Sequence, residues 1–158
     1  SSAIYGNVLN STGSIIPLIW DAINKNYTLT LYSEEMTRFM IDIEDAMDLI
    51  EEGLKVSGYN IIPNLRSFNV KDLFEVYSEK FGLKYKVGEP RISEKIHEIM
   101  ISKEEAPRTF YNKKNDVFYM HYKNIAKNSL NDEFSSYETT VSKSELSKIL
   151  SHYSFFKV

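Results

Sequence analysis

The chain contains no cysteine, one tryptophan, three histidines and six glycines in 158 residues. Without thiols there is no disulfide framework, no thiolate nucleophile and no cysteine-ligated zinc, a composition that suits a reducing compartment and predicts a cytoplasmic protein. The glycines are scattered, and nowhere do they form the Gly-rich loop that cradles a dinucleotide's pyrophosphate. No apolar run reaches the roughly 18 residues a membrane-spanning helix needs, and the start has neither the basic nor the apolar region of a signal peptide. Lys and Arg do not cluster either. A net charge of -3 and a pI near 5.7 leave no electrostatic footprint for a phosphate backbone, so nucleic acid is not an expected partner. What is present is ordinary: 42% hydrophobic and 26% charged residues, values of a soluble globular domain of one core.

Strand and helix patterns alternate along most of the length, which favours an α/β class. Residues 4–9 read as a short strand, and a polar loop then leads to a helix with Ser14 at its N-cap and Pro17 in its first turn, where no intrahelical N–H is lost. Residues 29–32 offer another strand. From Asp42 the spacing of Ile43, Ala46, Met47, Ile50 and Leu54 predicts a helix with those residues on its buried face. Residues 59–62 read as a strand closed by Pro63, and Asn69 or Ser67 opens a helix that stops at Gly82. Residues 83–87 alternate like a strand. Pro90 biases the stretch 88–95 to an extended loop. Residues 109–111 and 117–122 flank a turn-rich link and predict a hairpin, residues 123–137 read as irregular, and Ser142 or Ser144 caps a last helix.

Several residue types suit an anionic, hydroxyl-rich ligand. Arg91 carries a guanidinium fork that matches phosphate oxygens with two parallel hydrogen bonds, and Glu94 can accept from ribose hydroxyls. Gly6 permits close backbone approach, and the helix opened by Ser14 aims free N–H groups outward. Arg38 has two open readings: a tie between a loop and the carbonyls of a helix, or a place near the ligand. Other apparent motifs fail. Tyr119 and Lys123 have the Tyr-x-x-x-Lys spacing in which lysine lowers a tyrosine pKa, but that pairing needs a helix and the surroundings alternate like a strand. His97-Glu98 has no second histidine four residues after the first, and His121 and His152 read as core-edge or surface residues.

In order, Tyr5-Gly6-Asn7-Val8, Gly13-Ser14-Ile15-Ile16-Pro17, Met36-Thr37-Arg38-Phe39 and Arg91-Ile92-Ser93-Glu94-Lys95-Ile96-His97-Glu98 resemble the carboxy-terminal half of the inverting UDP-N-acetylglucosamine 4,6-dehydratases. These belong to the extended short-chain dehydrogenase/reductase class. The likeness covers about residues 3–122, with an echo at Phe134-Ser135-Ser136. It implies the substrate-binding part of a Rossmann-type α/β fold over residues 1–158, without the amino-terminal NADP-binding part, and hence a chain inactive by itself. It further implies that Asn7, Thr12, Gly13, Ser14, Tyr32, Arg91 and Glu94 line the site of a UDP-sugar and that Val8 lies against the nicotinamide end of NADP. The catalytic residues are expected upstream, no metal is implied, and the intact protein is expected to be a homo-oligomer. The chain departs from the family where Ile4 and Thr12 replace arginines, and where Ile92-Ser93 replaces a Pro-Gly turn. A nucleotide-sugar epimerase of the same fold and a non-catalytic α/β interaction module are the alternatives.

Overall fold

The computed structural model describes residues 1–89, 92 and 94–156. Arg91, expected to bind phosphate, lies outside the described residues. Along the chain come β1 (Ser2–Ala3), β2 (Asn7–Val8), α1 (Ile15–Lys25), β3 (Leu29–Leu31), β4 (Thr37–Ile41) and α2 (Ile43–Leu54). There follow β5 (Tyr59–Pro63), β6 (Ser67–Asn69), α3 (Val70–Phe81), β7 (Tyr85–Val87) and β8 (Ile99–Ile101). A 3-10 turn (Ala106–Arg108), β9 (Thr109–Asn112), β10 (Val117–His121), β11 (Phe134–Ser135) and α4 (Lys143–His152) complete the order. Among the described residues no helix is long and apolar enough to cross a membrane.

Of the expected strand at 4–9 only Asn7–Val8 is a strand, and Ser2–Ala3 before it is a separate strand in another sheet. β1 pairs parallel with β5 at the edge of a sheet ordered β1-β5-β10-β9, whereas β2 pairs parallel with β4 in a sheet ordered β2-β4-β6. Gly6 makes the crossing possible: a Cβ there would lie 2.6 Å from the Cβ of Phe39, a fully buried residue. β3 and β7 form a parallel pair, β9 and β10 the expected hairpin, and β8 and β11 an antiparallel pair. The parallel and antiparallel ladders together give a mixed α/β architecture.

Local signals account for the helix starts. Asp42 accepts from Asp45 N at 2.8 Å, Asn69 from Lys71 N at 2.7 Å, and Ser142 from Glu145 N at 3.3 Å, so three helices have a side-chain N-cap. α3 ends at Gly82, whose φ of 71° is the left-handed cap that glycine adopts without steric cost. Of the face assigned to α2 from its spacing, only Ala46 is buried. Ala46, Leu49 and Gly53 are buried, and Ile43, Met47, Ile50 and Leu54 are exposed, Leu54 by 83%. The helix has an apolar stripe on each side, and the sheet takes the side whose small residues permit close approach.

Beside the cluster of Leu49, Ile61, Val117 and Tyr119 under α2, two further apolar clusters frame the rest. Ile16 and Ile19 of α1, Leu73 and Tyr77 of α3, and Leu146 and Leu150 of α4 form one. Its end is closed by the chain past α4, where the Phe155 carbonyl accepts from Trp20 Nε1 at 3.1 Å and Tyr77 Oη at 2.8 Å. Phe39, Ile62, Phe118, Met120 and Phe134 form the other. The segment read as irregular contributes β11 and the fully buried Ser136, because Phe134 has an aromatic slot between Phe39 and Phe118.

Candidate functional site

Of the concavities on the surface, two differ most plainly in charge. A groove of about 470 Å³ between α2 and the β9–β10 turn is lined by Asp45, Asp48, Glu51, Glu52 and Asp116 against Lys55 alone. Such a wall repels an anion. A cavity of about 240 Å³ is instead lined by Asn7, Val8 and Leu9 from β2 and its end, Ser14, Ile15 and Leu18 from the start of α1, Leu29 to Tyr32, Arg38, Phe68, Phe74 and Glu94. Its wall is mostly apolar, with the polar groups of Asn7, Ser14, Tyr32, Arg38 and Glu94 among it, the composition of a small-molecule site.

Five residues named from the sequence therefore come together: Asn7, Val8, Ser14, Tyr32 and Glu94. Two do not. Thr12 and Gly13 are exposed in the turn before α1, Gly13 with φ of 79°, and neither lines the cavity. Ser14 stands at the N-cap of α1 but makes no capping hydrogen bond, and its buried Oγ has no partner among the described residues.

Arg38 ties a loop, but to carbonyls of a strand and of the loop itself and not to those of a helix, and it also lines the cavity. From β4 it donates Nη1 to the carbonyls of Thr37 at 2.8 Å and Ile96 at 3.2 Å, and Nη2 to Glu94 Oε1 at 3.0 Å, with its Nε 3.7 Å from Glu98 Oε1. It ties the 94–98 segment to the sheet while lining the cavity. Among the described lining residues, Arg38 and Glu94 are the only charged ones, and they pair with each other.

The same segment is clamped from behind. Thr37 N donates to the Ile96 carbonyl at 2.9 Å, Thr37 Oγ1 is 2.8 Å from His97 Nδ1 and 2.7 Å from Ser136 Oγ, and Ser136 exchanges hydrogen bonds with the backbone of Glu98. Glu98 in turn meets Asn7. With the Asn7 amide oriented for its hydrogen bonds, Nδ2 donates to Glu98 Oε2 at 3.0 Å and Oε1 at 3.2 Å. Sequence reasoning gave no role to Thr37, Glu98 or Ser136. The only signals available were the matched runs in which they stand.

Tyr119 lies in β10 and donates to Glu52 Oε1 at 2.6 Å. Burial, and then the Glu52 carboxylate, hold its phenol above the ordinary tyrosine range, the opposite of what a Tyr–Lys proton donor requires. Among the described residues no group of three or more His, Cys, Asp or Glu could hold a metal ion.

The model of a family described as polysaccharide biosynthesis protein matches residues 1–120. A UDP-N-acetylglucosamine 4,6-dehydratase (inverting) of Campylobacter jejuni is 32% identical over 109 residues, 67% of this chain and 32% of the relative. An uncharacterized membrane protein of Methanocaldococcus jannaschii is 38% identical over 112 residues, and a UDP-glucose 4-epimerase of Rickettsia akari 33% identical over 107. Each alignment covers 64% of this chain, and 34% and 31% of those relatives. Among solved structures, Pen from Bacillus thuringiensis matches with a TM-score of 0.85 and 26% identity, over 98% of this chain and 50% of that one. The chain thus has an extended short-chain dehydrogenase/reductase fold. It spans about a third of the length of the curated relatives it matches.

Proposed function

Because the chain belongs to the polysaccharide biosynthesis protein family, we propose that it is the sugar-nucleotide-binding part of an NADP-dependent UDP-N-acetylglucosamine 4,6-dehydratase that inverts C5. The observation that carries this reading is the single cavity of about 240 Å³ into which Asn7, Val8, Ser14, Tyr32 and Glu94 converge from separate stretches of sequence. Its apolar wall suits a flat base, and its few polar groups suit hydroxyls. Glu94, held by Arg38 through Oε1, keeps Oε2 for a ribose hydroxyl. Since Arg38 and Glu94 neutralise each other, the diphosphate takes its cation from elsewhere, and Arg91 supplies it.

NADP, when bound, would supply the hydride acceptor and donor for this chemistry. Val8 is apolar and half-buried in the cavity wall beside Asn7, which fits the nicotinamide end alone. A preceding amino-terminal part would hold the rest of the cofactor and the proton-transferring residues, in a cytoplasmic homo-oligomer. The epimerase reading is kept by the Rickettsia relative, whose name gives epimerisation at C4 of UDP-glucose.

The deciding experiment gives the intact protein UDP-N-acetylglucosamine and follows a 4-keto product. Turnover with loss of water supports dehydration. Interconversion of UDP-glucose at C4 without water loss reassigns the reaction to epimerisation. In calorimetry, Arg91→Ala weakens UDP binding by about tenfold or more, the worth of a charge-assisted hydrogen bond; unchanged affinity removes Arg91 from the diphosphate.

A further inference from the structure

Every polar group of Thr37 serves the 94–98 segment. Its N–H donates to the Ile96 carbonyl at 2.9 Å, and its own carbonyl accepts from Arg38 Nη1 at 2.8 Å. Arg38 in turn reaches the Ile96 carbonyl and Glu94 Oε1. The Thr37 hydroxyl lies 2.8 Å from His97 Nδ1 and 2.7 Å from Ser136 Oγ, which accepts from Glu98 N. The residue is buried, at 4% exposure, and it does not line the 240 Å³ cavity.

The segment depends on these contacts because it has no ladder of its own. Residues 94–98 form neither strand nor helix, and β8 starts only at Ile99. A threonine suits the hub: branched at Cβ, it is stiff about χ1 and keeps its hydroxyl at one place. A hydroxyl has one hydrogen to donate and two lone pairs. With a lone pair on His97 Nδ1, Ser136 donates to Thr37 and Thr37 to His97. With a hydrogen on Nδ1 the order reverses, and Ser136 donates to the Thr37 carbonyl at 3.3 Å. The hold on His97 therefore persists in either state of the imidazole.

We infer that Thr37 is a positioning residue whose hydroxyl, acting through His97 and Ser136, holds the 94–98 segment where Glu94 faces the ligand cavity, and so sets the affinity for a ligand it does not touch. This rests on the sugar-nucleotide reading above and deepens it. Arg38 fixes the direction of the Glu94 carboxylate, but the backbone that carries Glu94 is anchored behind the cavity, at Ile96, His97 and Glu98. A shift of about 1 Å in that backbone takes Glu94 Oε2 out of hydrogen-bonding range of a ribose hydroxyl.

The test reads affinity for UDP-N-acetylglucosamine by calorimetry on the intact protein. Thr37→Val keeps the shape and removes the hydroxyl, and it weakens binding by the equivalent of one hydrogen bond, about three- to tenfold. Thr37→Ser keeps a hydroxyl and binds within about twofold of the wild type. In a Glu94→Ala background Thr37→Val weakens binding no further, because the group it positions is gone. Losses that add instead show that Thr37 acts on the fold at large, and they overturn the inference. His97→Phe keeps a ring against Tyr137 and removes Nδ1, at a half-buried position that tolerates the change. It runs the same cycle should Thr37→Val fail to fold, and unchanged affinity there overturns the inference as well. Hydrogen exchange of the ligand-free protein reads the hold directly: Thr37→Val or His97→Phe speeds exchange of the Glu98 amide but not of Ile61 in β5, and an unchanged rate at Glu98 refutes the hold. Failure of the wild type to bind any UDP-sugar overturns the functional reading and the ligand half of the inference, and leaves the exchange result to decide the hold.

Discussion

At the scale of single residues, hydrogen bonds to carboxylates set the pH behaviour of the β10 face. Tyr119 Oη holds the Glu52 carboxyl below the usual carboxylate range, assisted by Lys55 and Asn115. A depressed carboxylate contributes stability that is present above its unfolded pKa, near 4.3, and is lost as pH falls through the lower folded value. Tyr119→Phe therefore lowers stability by about 1 kcal/mol at neutral pH. The gap between variant and wild type, followed by urea denaturation, is constant above about pH 5 and closes in acid. A gap that persists at pH 2 attributes the effect to packing. Phe110 stacks on Tyr119 at 5.5 Å and is unaffected by the lost hydroxyl. Part of the candidate site was legible at this scale: Asn7 and Glu94 stand in matched runs, and they line one cavity together with Tyr32. The grip of Glu98 on Asn7 was not, because the orientation of an amide leaves no trace in residue order.

At the scale of elements, α2 separates two apolar stripes that periodicity alone cannot rank. Leu49 is buried against Ile61, Val117 and Tyr119, whereas Leu54 points to solvent. Leu49→Ala should cost about 2–5 kcal/mol through lost contacts and a cavity. Leu54→Lys should change stability by no more than about 0.5 kcal/mol. Thermal unfolding of the two variants distinguishes the faces, and a reversed order would return the helix to its expected orientation. Helix ends were readable from Asp42, Asn69, Gly82 and Ser142, since capping is local chemistry. β4, β6, β8 and β11 were not assigned from sequence. Each is two to five residues long, and its strand state depends on a partner far along the chain, as with Thr37 opposite Asn69.

At the scale of the whole molecule, the chain past α4 is the keystone of the helical cluster. Phe155 offers one carbonyl to Trp20 and Tyr77, and Phe156 packs on Tyr77 and Phe81. Ending the chain after Tyr153 leaves the Trp20 and Tyr77 donors without that acceptor and removes both rings. The expected loss is about 1–3 kcal/mol for each donor left unsatisfied in the core. Trp20 is the single tryptophan, so a red shift of its emission reports the opening without interference. An unshifted spectrum with unchanged stability would mean that the helices hold without this closure.

The sheet that runs β1-β5-β10-β9 has a consequence in time. Ser2 pairs with Asn60, and Tyr59 with His121, so its central ladders join stretches about sixty residues apart. Loop closure over such distances must be completed before pairing rewards it, which places folding in the slow, millisecond-to-second range of non-local topologies. On the ribosome, β1 emerges before β5 and waits for it, and β5 waits in turn for β10. Until His121 has left the exit tunnel, β5 lacks its antiparallel partner and the nascent chain exposes strand edges open to pairing with neighbouring chains.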